Sequence, residues 1–204
     1  MKTLLALCLV TTLGLSTAQS AQQEGSPEAA KIAREGSQAA RGQDWDKAVE
    51  RFRKAAEMDR KYTQNLAIAY QQRAFSYAND QRFQDALNDL SEAIKVNPRD
   101  ARAYEQRAAV EMRINDYDKA LADYGEAIKT NPGEIRYHLY RSYIYELRGD
   151  IQNAMADTDR ALKIDSKNKE AVDRKQRLQK IQSATAPTPP PNAPPVTAPP
   201  KKNP

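Results

Sequence analysis

The 204-residue chain holds one cysteine, one histidine and one tryptophan. Cys8 sits within the first ten residues, so the rest of the chain has no thiol to form a disulfide, act as a nucleophile or bind a metal. His138 stands alone, so any triad would have to use it, and the residues around it form no strained nucleophile turn. Glu134 and Ser142 flank it at i−4 and i+4, but the further imidazole and thiolate ligands of a closed zinc site are missing. Glycine is scarce, at seven residues, and none are grouped into a phosphate-cradling loop. The acids are plentiful but scattered along helical stretches. These absences argue against an enzyme, and no cofactor or metal is expected.

Long apolar runs are scarce too. The chain opens Met1-Lys2-Thr3, continues with an apolar stretch from Leu4 to Leu15, and then carries the small residues Ser16-Thr17-Ala18. A single positive charge, a short apolar segment and small residues predict a secretory signal peptide over 1–18, cleaved after Ala18. The stretch is too short to cross a hydrocarbon layer of about 30 Å as a permanent helix. Lipid attachment at Cys8 is the competing reading, disfavoured by bulky Leu7 before it and by the apolar run continuing past it. The chain is therefore expected to be exported to the periplasm or the extracellular space, with no stable membrane insertion after cleavage. Loss of 1–18 removes Lys2 and no acid, so the net charge falls from +5 to +4. Bases and acids interleave on the same helices instead of forming a basic patch, which argues against nucleic acid as a partner.

What the chain does have is a period. Ala86, Ala120 and Ala154 are spaced by 34 residues, and Ala48 shares their local frame. A second column, Ala55, Ala93, Ala127 and Ala161, follows seven residues later in every unit. Alanines a heptad apart lie on one side of a helix, where a methyl lets another backbone approach closely. A fixed period of this length predicts an all-α chain, an α-solenoid of four antiparallel helix pairs. The units fall at 29–62, 67–100, 101–134 and 135–168, after a polar lead-in at 19–28. The first interval is 38, so four extra residues, Thr63–Leu66, lengthen the second unit's first helix by one turn. Asp44, Asp116 and Asp150 stand where they can cap the second helices. Asn97-Pro98 and Asn131-Pro132 close two of them.

The third unit carries Tyr104, Ala108, Ala120, Tyr124, Ala127 and Pro132, and the second Tyr70, Ala74, Tyr77, Ala86, Leu90, Ala93 and Pro98. The fourth keeps Tyr145, Ala154 and Ala161, with His138 and Thr158 at places usually large and apolar; the first keeps Gly36, Ala48, Phe52 and Ala55. This pattern resembles the tetratricopeptide repeat family. The resemblance implies a stack of helix pairs whose first helices line a concave groove that binds other proteins. A terminal repeat needs cover for its apolar face, and residues 169–182, with Ala171, Leu178 and Ile181 at helical spacing, are expected to form a capping helix. From Ser183 onward nine of 22 residues are proline, predicting a disordered or polyproline II tail over 183–204 that reaches roughly 70 Å.

Two constellations stand out. Arg73, Arg107 and Arg141 lie sixteen residues before Asp89, Asp123 and Asp157, while the first unit swaps the signs as Glu35 and Arg51. A swap that keeps one acid and one base predicts salt bridges between the two helices of a unit, worth about 0–1 kcal/mol each at a surface. The second is a stripe on the first helices. Beside the third unit's packing residues Tyr104, Ala108 and Glu111 run Arg102, Gln106, Ala109 and Arg113, at i, i+4, i+7 and i+11. The matching stripes are Ile68, Gln72, Phe75, Asn79 and Arg136, Tyr140, Tyr143, Leu147. The candidate peptide-binding groove is thus Gln72, Phe75, Asn79, Arg102, Gln106, Arg113, Arg136, Tyr140 and Tyr143. Amides and arginines would grip backbone and carboxylate while the rings supply flat apolar contact, so the expected partner is a protein or extended peptide, acidic ones included. The heat-shock co-chaperones of the family clamp a terminal carboxylate with Lys and Asn. Here the corresponding stripes read Ala30, Ala33, Arg34, Ser37 and Ile68, Gln71, Gln72, Phe75, without that pair, which disfavours such a partner. The alternative to a binding groove is a structural envelope or spacer protein acting through its Pro-rich tail or by oligomerisation.

Overall fold

The computed structural model describes residues 26–185. The expected signal peptide, the lead-in up to residue 25 and the Pro-rich residues 186–204 lie outside the described residues. Among those described, helices come in pairs: α1 (Pro27–Arg41) with α2 (Trp45–Met58), α3 (Thr63–Asn79) with α4 (Phe83–Val96), α5 (Ala101–Arg113) with α6 (Tyr117–Thr130), and α7 (Ile135–Leu147) with α8 (Ile151–Ile164), followed by α9 (Lys169–Thr185). Each helix packs chiefly on its neighbours along the chain, which makes the array a solenoid. The one long interval is absorbed by a 3-10 turn at Arg60–Tyr62 and by α3, which has 17 residues where α5 and α7 have 13. Helix α9 runs to Thr185, three residues beyond the expected end of the capping helix, and α1 begins two residues ahead of the first repeat frame.

Local chemistry sets the helix ends. Asp44, Asp116 and Asp150 accept backbone hydrogen bonds from Lys47, Lys119 and Asn153 at the starts of α2, α6 and α8. Asp100 and Glu134 do the same for α5 and α7. Every turn within a pair contains one left-handed residue, namely Gln43, Gln81, Asn115 and Gly149, all at one place in the repeat.

The two alanine columns form the spine. Ala48, Ala55, Ala86, Ala93, Ala120, Ala127, Ala154 and Ala161 are all completely buried. Larger side chains fill between them: Ile32, Val49, Phe52, Leu66 and Tyr70 join the first unit to the second, and Tyr124, Tyr137 and Ile144 join the third to the fourth. Each such aliphatic or aromatic burial stabilises by about 1.5–3 kcal/mol. At Gly36 a Cβ would come within 3.2 Å of the Phe52 ring and Arg51 Cβ, so a side chain there would have to push α1 and α2 apart by a few tenths of an ångström. Ala171 and Leu178 of α9 are fully buried on the last pair and close the stack.

The arginine–aspartate pairs are not surface pairs. Arg73 grips Asp89 through Nε (2.7 Å) and Nη2 (2.8 Å), Arg107 grips Asp123 (2.6 and 2.8 Å), and Arg141 grips Asp157 (2.7 and 2.8 Å). All three carboxylates are buried, because they point between helices instead of outward. Arg73 and Arg107 also donate to Asp46 and Ser91 of the preceding unit, so each links three helices. The sign-swapped pair is looser, with Arg51 and Glu35 3.5 Å apart and both partly exposed. His138 is buried, its Nδ1 3.6 Å from Asp157, and it takes no place on the outward stripe.

Glu111 stands where the second and fourth units have Tyr77 and Tyr145. Its shorter side chain is 3% exposed, one oxygen has no hydrogen-bond partner, and it borders a cavity of about 360 Å³ beside Asn88, Ser91, Lys119 and Asp123. Burial, and then the nearby Asp123 carboxylate, push its pKa from 4.5 up to about 7.

Candidate interaction groove

The face formed by α3, α5 and α7 is built by register: residues at i, i+4, i+7 and i+11 of each first helix point away from the second helices. Gln72, Phe75, Asn79, Arg102, Arg113, Arg136, Tyr140 and Tyr143 are all exposed there, and Gln106 is half-buried. Phe75 is 61% exposed, Leu147 48%, Tyr140 45%, Ile68 41% and Tyr143 40%, all on the same stripes. Tyr140 packs against the Tyr124 ring, at 5.6 Å between centroids.

Phe75, Asn79, Gln106 and Arg113 come together around a cleft of about 390 Å³ between α3 and α5, floored by Ala78, Leu90 and Val110. The other five expected residues lie outside this cleft: Gln72 and Arg102 on the same helices, and Arg136, Tyr140 and Tyr143 on α7. Two polar cleft residues stand outside the candidate groove set. Gln71 donates to Asp100 at 3.0 Å, and Glu105 meets Arg136 of α7 at 3.2 Å. Both sit one residue ahead of the i, i+4, i+7, i+11 stripe, between its outward face and the packing face, so that stripe leaves them out. Burial raises the pKa of Glu105, an effect opposed by the Arg136 guanidinium.

The stripe's arginines are engaged within the fold. Arg102 Nε lies 3.2 Å from Asp100, and Arg136 pairs with Glu134 at 3.1 Å as well as with Glu105. Arg113 donates to the Ala78 carbonyl at 2.7 Å, satisfying the end of α3, and stacks over Phe83 at 4.7 Å. The face is therefore aromatic and amide-rich with its positive charge largely matched, and not the basic surface that the residue types alone suggest. Among the described residues no cluster of His, Cys, Asp and Glu could hold a metal ion, and no helix is long and apolar enough to cross a membrane.

A family model described as tetratricopeptide repeat matches residues 72–134 and, in a second register, 106–169. Residues 72–169 are tetratricopeptide repeats. Proteins of this fold are typically non-catalytic modules for protein interaction. The chain is 41% identical over 64 residues to the heat shock protein STI1 of Saccharomyces cerevisiae, a match spanning 31% of this chain and 10% of the yeast protein. Among solved structures, a tetratricopeptide repeat protein from Parabacteroides merdae superposes with a TM-score of 0.59 at 18% identity, over 78% of this chain and 62% of that one. The first such domain of Spaghetti (RPAP3), solved bound to the HSP90 peptide SRMEEVD, superposes with a TM-score of 0.53 at 16% identity, over 57% of this chain and 93% of that one. These structural likenesses establish the tetratricopeptide fold.

Proposed function

We propose that this chain is a non-catalytic module of an exported protein, and that it binds a peptide or protein partner along the concave face of its first helices. The observation that carries the reading is the set of exposed apolar side chains on one face of the first helices: Ile68 and Phe75 on α3, with Phe75 bordering a preformed cleft, and Tyr140, Tyr143 and Leu147 on α7. Apolar side chains grouped on one face in this way mark an interaction surface, whereas singly scattered ones such as Met58 and Ile164 need no explanation. The peptide-bound RPAP3 domain supports the mode of binding. Arg102, Arg113 and Arg136 already have partners within the fold, so binding does not require an acidic peptide. A neutral, extended segment fits the rings and amides as well.

The test is the double variant Phe75→Ala/Tyr140→Ala. Exposed positions of this kind change stability by no more than about 0.5 kcal/mol each, so the variant should melt with the parent yet lose its partner in co-precipitation from the exported fraction. Capture that survives equally well in the folded double variant overturns the groove as the site.

A further inference from the structure

We propose that the occupant of this face is the chain's own proline-rich C-terminal segment, residues 186–204, laid as an extended strand from α9 across α7 and α5 toward α3. The proposal rests on the peptide-binding reading above and names what the face holds when no other protein is bound.

Three observations converge on it. The first is chemical. A polyproline II strand makes no internal hydrogen bonds, so its carbonyls are free and its rings need flat apolar partners; grooves that read such strands supply aromatic rings with polar donors between them. The first-helix face offers Phe75 on α3, with the amides of Gln72 and Asn79 one turn to either side of it, and Tyr140 and Tyr143 on α7, with Gln106 of α5 between the two helices. The second is charge. Arg102, Arg113 and Arg136 are held by Asp100, the Ala78 carbonyl, Glu134 and Glu105. Residues 186–204 match that neutral face, having no Asp or Glu and no basic residues other than Lys201 and Lys202.

The third is reach. Arg174 of α9 lies over the Tyr143 ring at 5.5 Å, and Arg177 bonds Glu146 of α7 at 2.7 Å, so α9 lies along the α7 edge of the face and releases the chain at Thr185. Nineteen residues at about 3.1 Å each extend roughly 60 Å. Passing from α9 over α7 and α5 to α3 takes three interhelical spacings of 8–10 Å, roughly 30 Å in all. The segment therefore spans the face with length left to turn. Tethering gives it an effective concentration in the mM range, so an intrinsic affinity as weak as about 0.1 mM keeps the face covered and lowers the apparent affinity of a competing partner about tenfold.

The experiment uses the full chain with Cys8→Ser and Val196→Cys, a nitroxide on the new thiol, and aromatic side-chain NMR. A control chain carries the same label with Pro187, Pro189, Pro190, Pro191, Pro194 and Pro195 changed to Ser, which keeps the tether but removes the polyproline chemistry. The expected result is strong broadening of the Phe75, Tyr140 and Tyr143 ring signals, absent at Trp45 on α2 and relieved in the serine control, which should also capture the outside partner up to about tenfold more tightly. Rings no broader than in the serine control, or equal broadening at Trp45, overturn the proposal. The partner-capture test on Phe75→Ala/Tyr140→Ala then separates the cases. Capture lost with no ring broadening retires the tail and leaves the groove, whereas capture retained with no broadening retires both.

Discussion

Glu111→Gln should make the protein more stable above neutral pH and leave it nearly unchanged in acid. The carboxyl occupies a tyrosine's place between the second and third units, 3% exposed and with one oxygen unpaired. The groups facing it are Arg107 on its own helix, Asp123 and Lys119 on α6, and Asp116 at the preceding turn; α4 presents the uncharged Gln84, Leu87, Asn88 and Ser91. Its folded pKa of about 7 exceeds the ordinary 4.5, so the folded state binds its proton more tightly than the unfolded state does. An acid raised in this way contributes its full stability below pH 4.5 and loses it as pH climbs through the folded value. The difference amounts to at most about 3 kcal/mol. Glutamine keeps the shape and cannot ionise, so the gap between variant and parent should open from about pH 4.5 and level off above about pH 7. In a fold of this size 1 kcal/mol shifts Tm by about 2–4 °C, giving at most roughly 6–12 °C at pH 8. Thermal melts by circular dichroism at half-unit steps from pH 4 to pH 8 suffice. Parallel curves for parent and variant would show that Glu111 is solvated or paired in the folded protein, and the reasoning from its cavity would fall.

Two further expectations test the repeat frame and the ladder. Ala120→Leu should cost about 1–3 kcal/mol by overpacking a completely buried spine position, while Ala122→Leu, on an exposed site two residues on, should be tolerated; equal losses in denaturant melts would mean the frame is misassigned. Asp123→Ala should cost about 3–5 kcal/mol, because it strands a part-buried guanidinium; Glu35→Ala should cost under about 1 kcal/mol at the looser outer pair, and urea unfolding of the two variants should separate them clearly.

The alanine columns made the architecture readable, because a methyl at a fixed place every 34 residues has few causes other than close helix contact. The aspartates before α2, α6 and α8 likewise announced helix starts through a purely local hydrogen bond. Spacing also paired Arg107 with Asp123, but it carries no information on depth, and depth is what separates a surface pair from a buried link among three helices. The stripe on the first helices was readable as a set of outward positions. Its charge pairing was not read there, although it was within reach: Asp100 and Glu134 cap α5 and α7 two residues ahead of Arg102 and Arg136, near enough for each arginine to fold back on its own cap. Glu105 was harder to find, since its partner Arg136 belongs to another unit and only the stacking of α5 beside α7 brings them together.

Helix α9 keeps the phase of the repeat. Ala171 and Leu178 hold the places that Ala103 and Val110 hold on α5 and Tyr137 and Ile144 on α7, so α9 docks as the first helix of a unit does. The joint between Ile164 and Lys169 is accordingly interchangeable with those after Val96 and Thr130. A further 34-residue unit inserted there would meet a matching surface on each side, and one of the present units could be removed by the same logic. The length of this chain is thus an adjustable quantity that changes in whole steps, which gives a lineage a simple way to widen or narrow the surface it presents without redesigning either end.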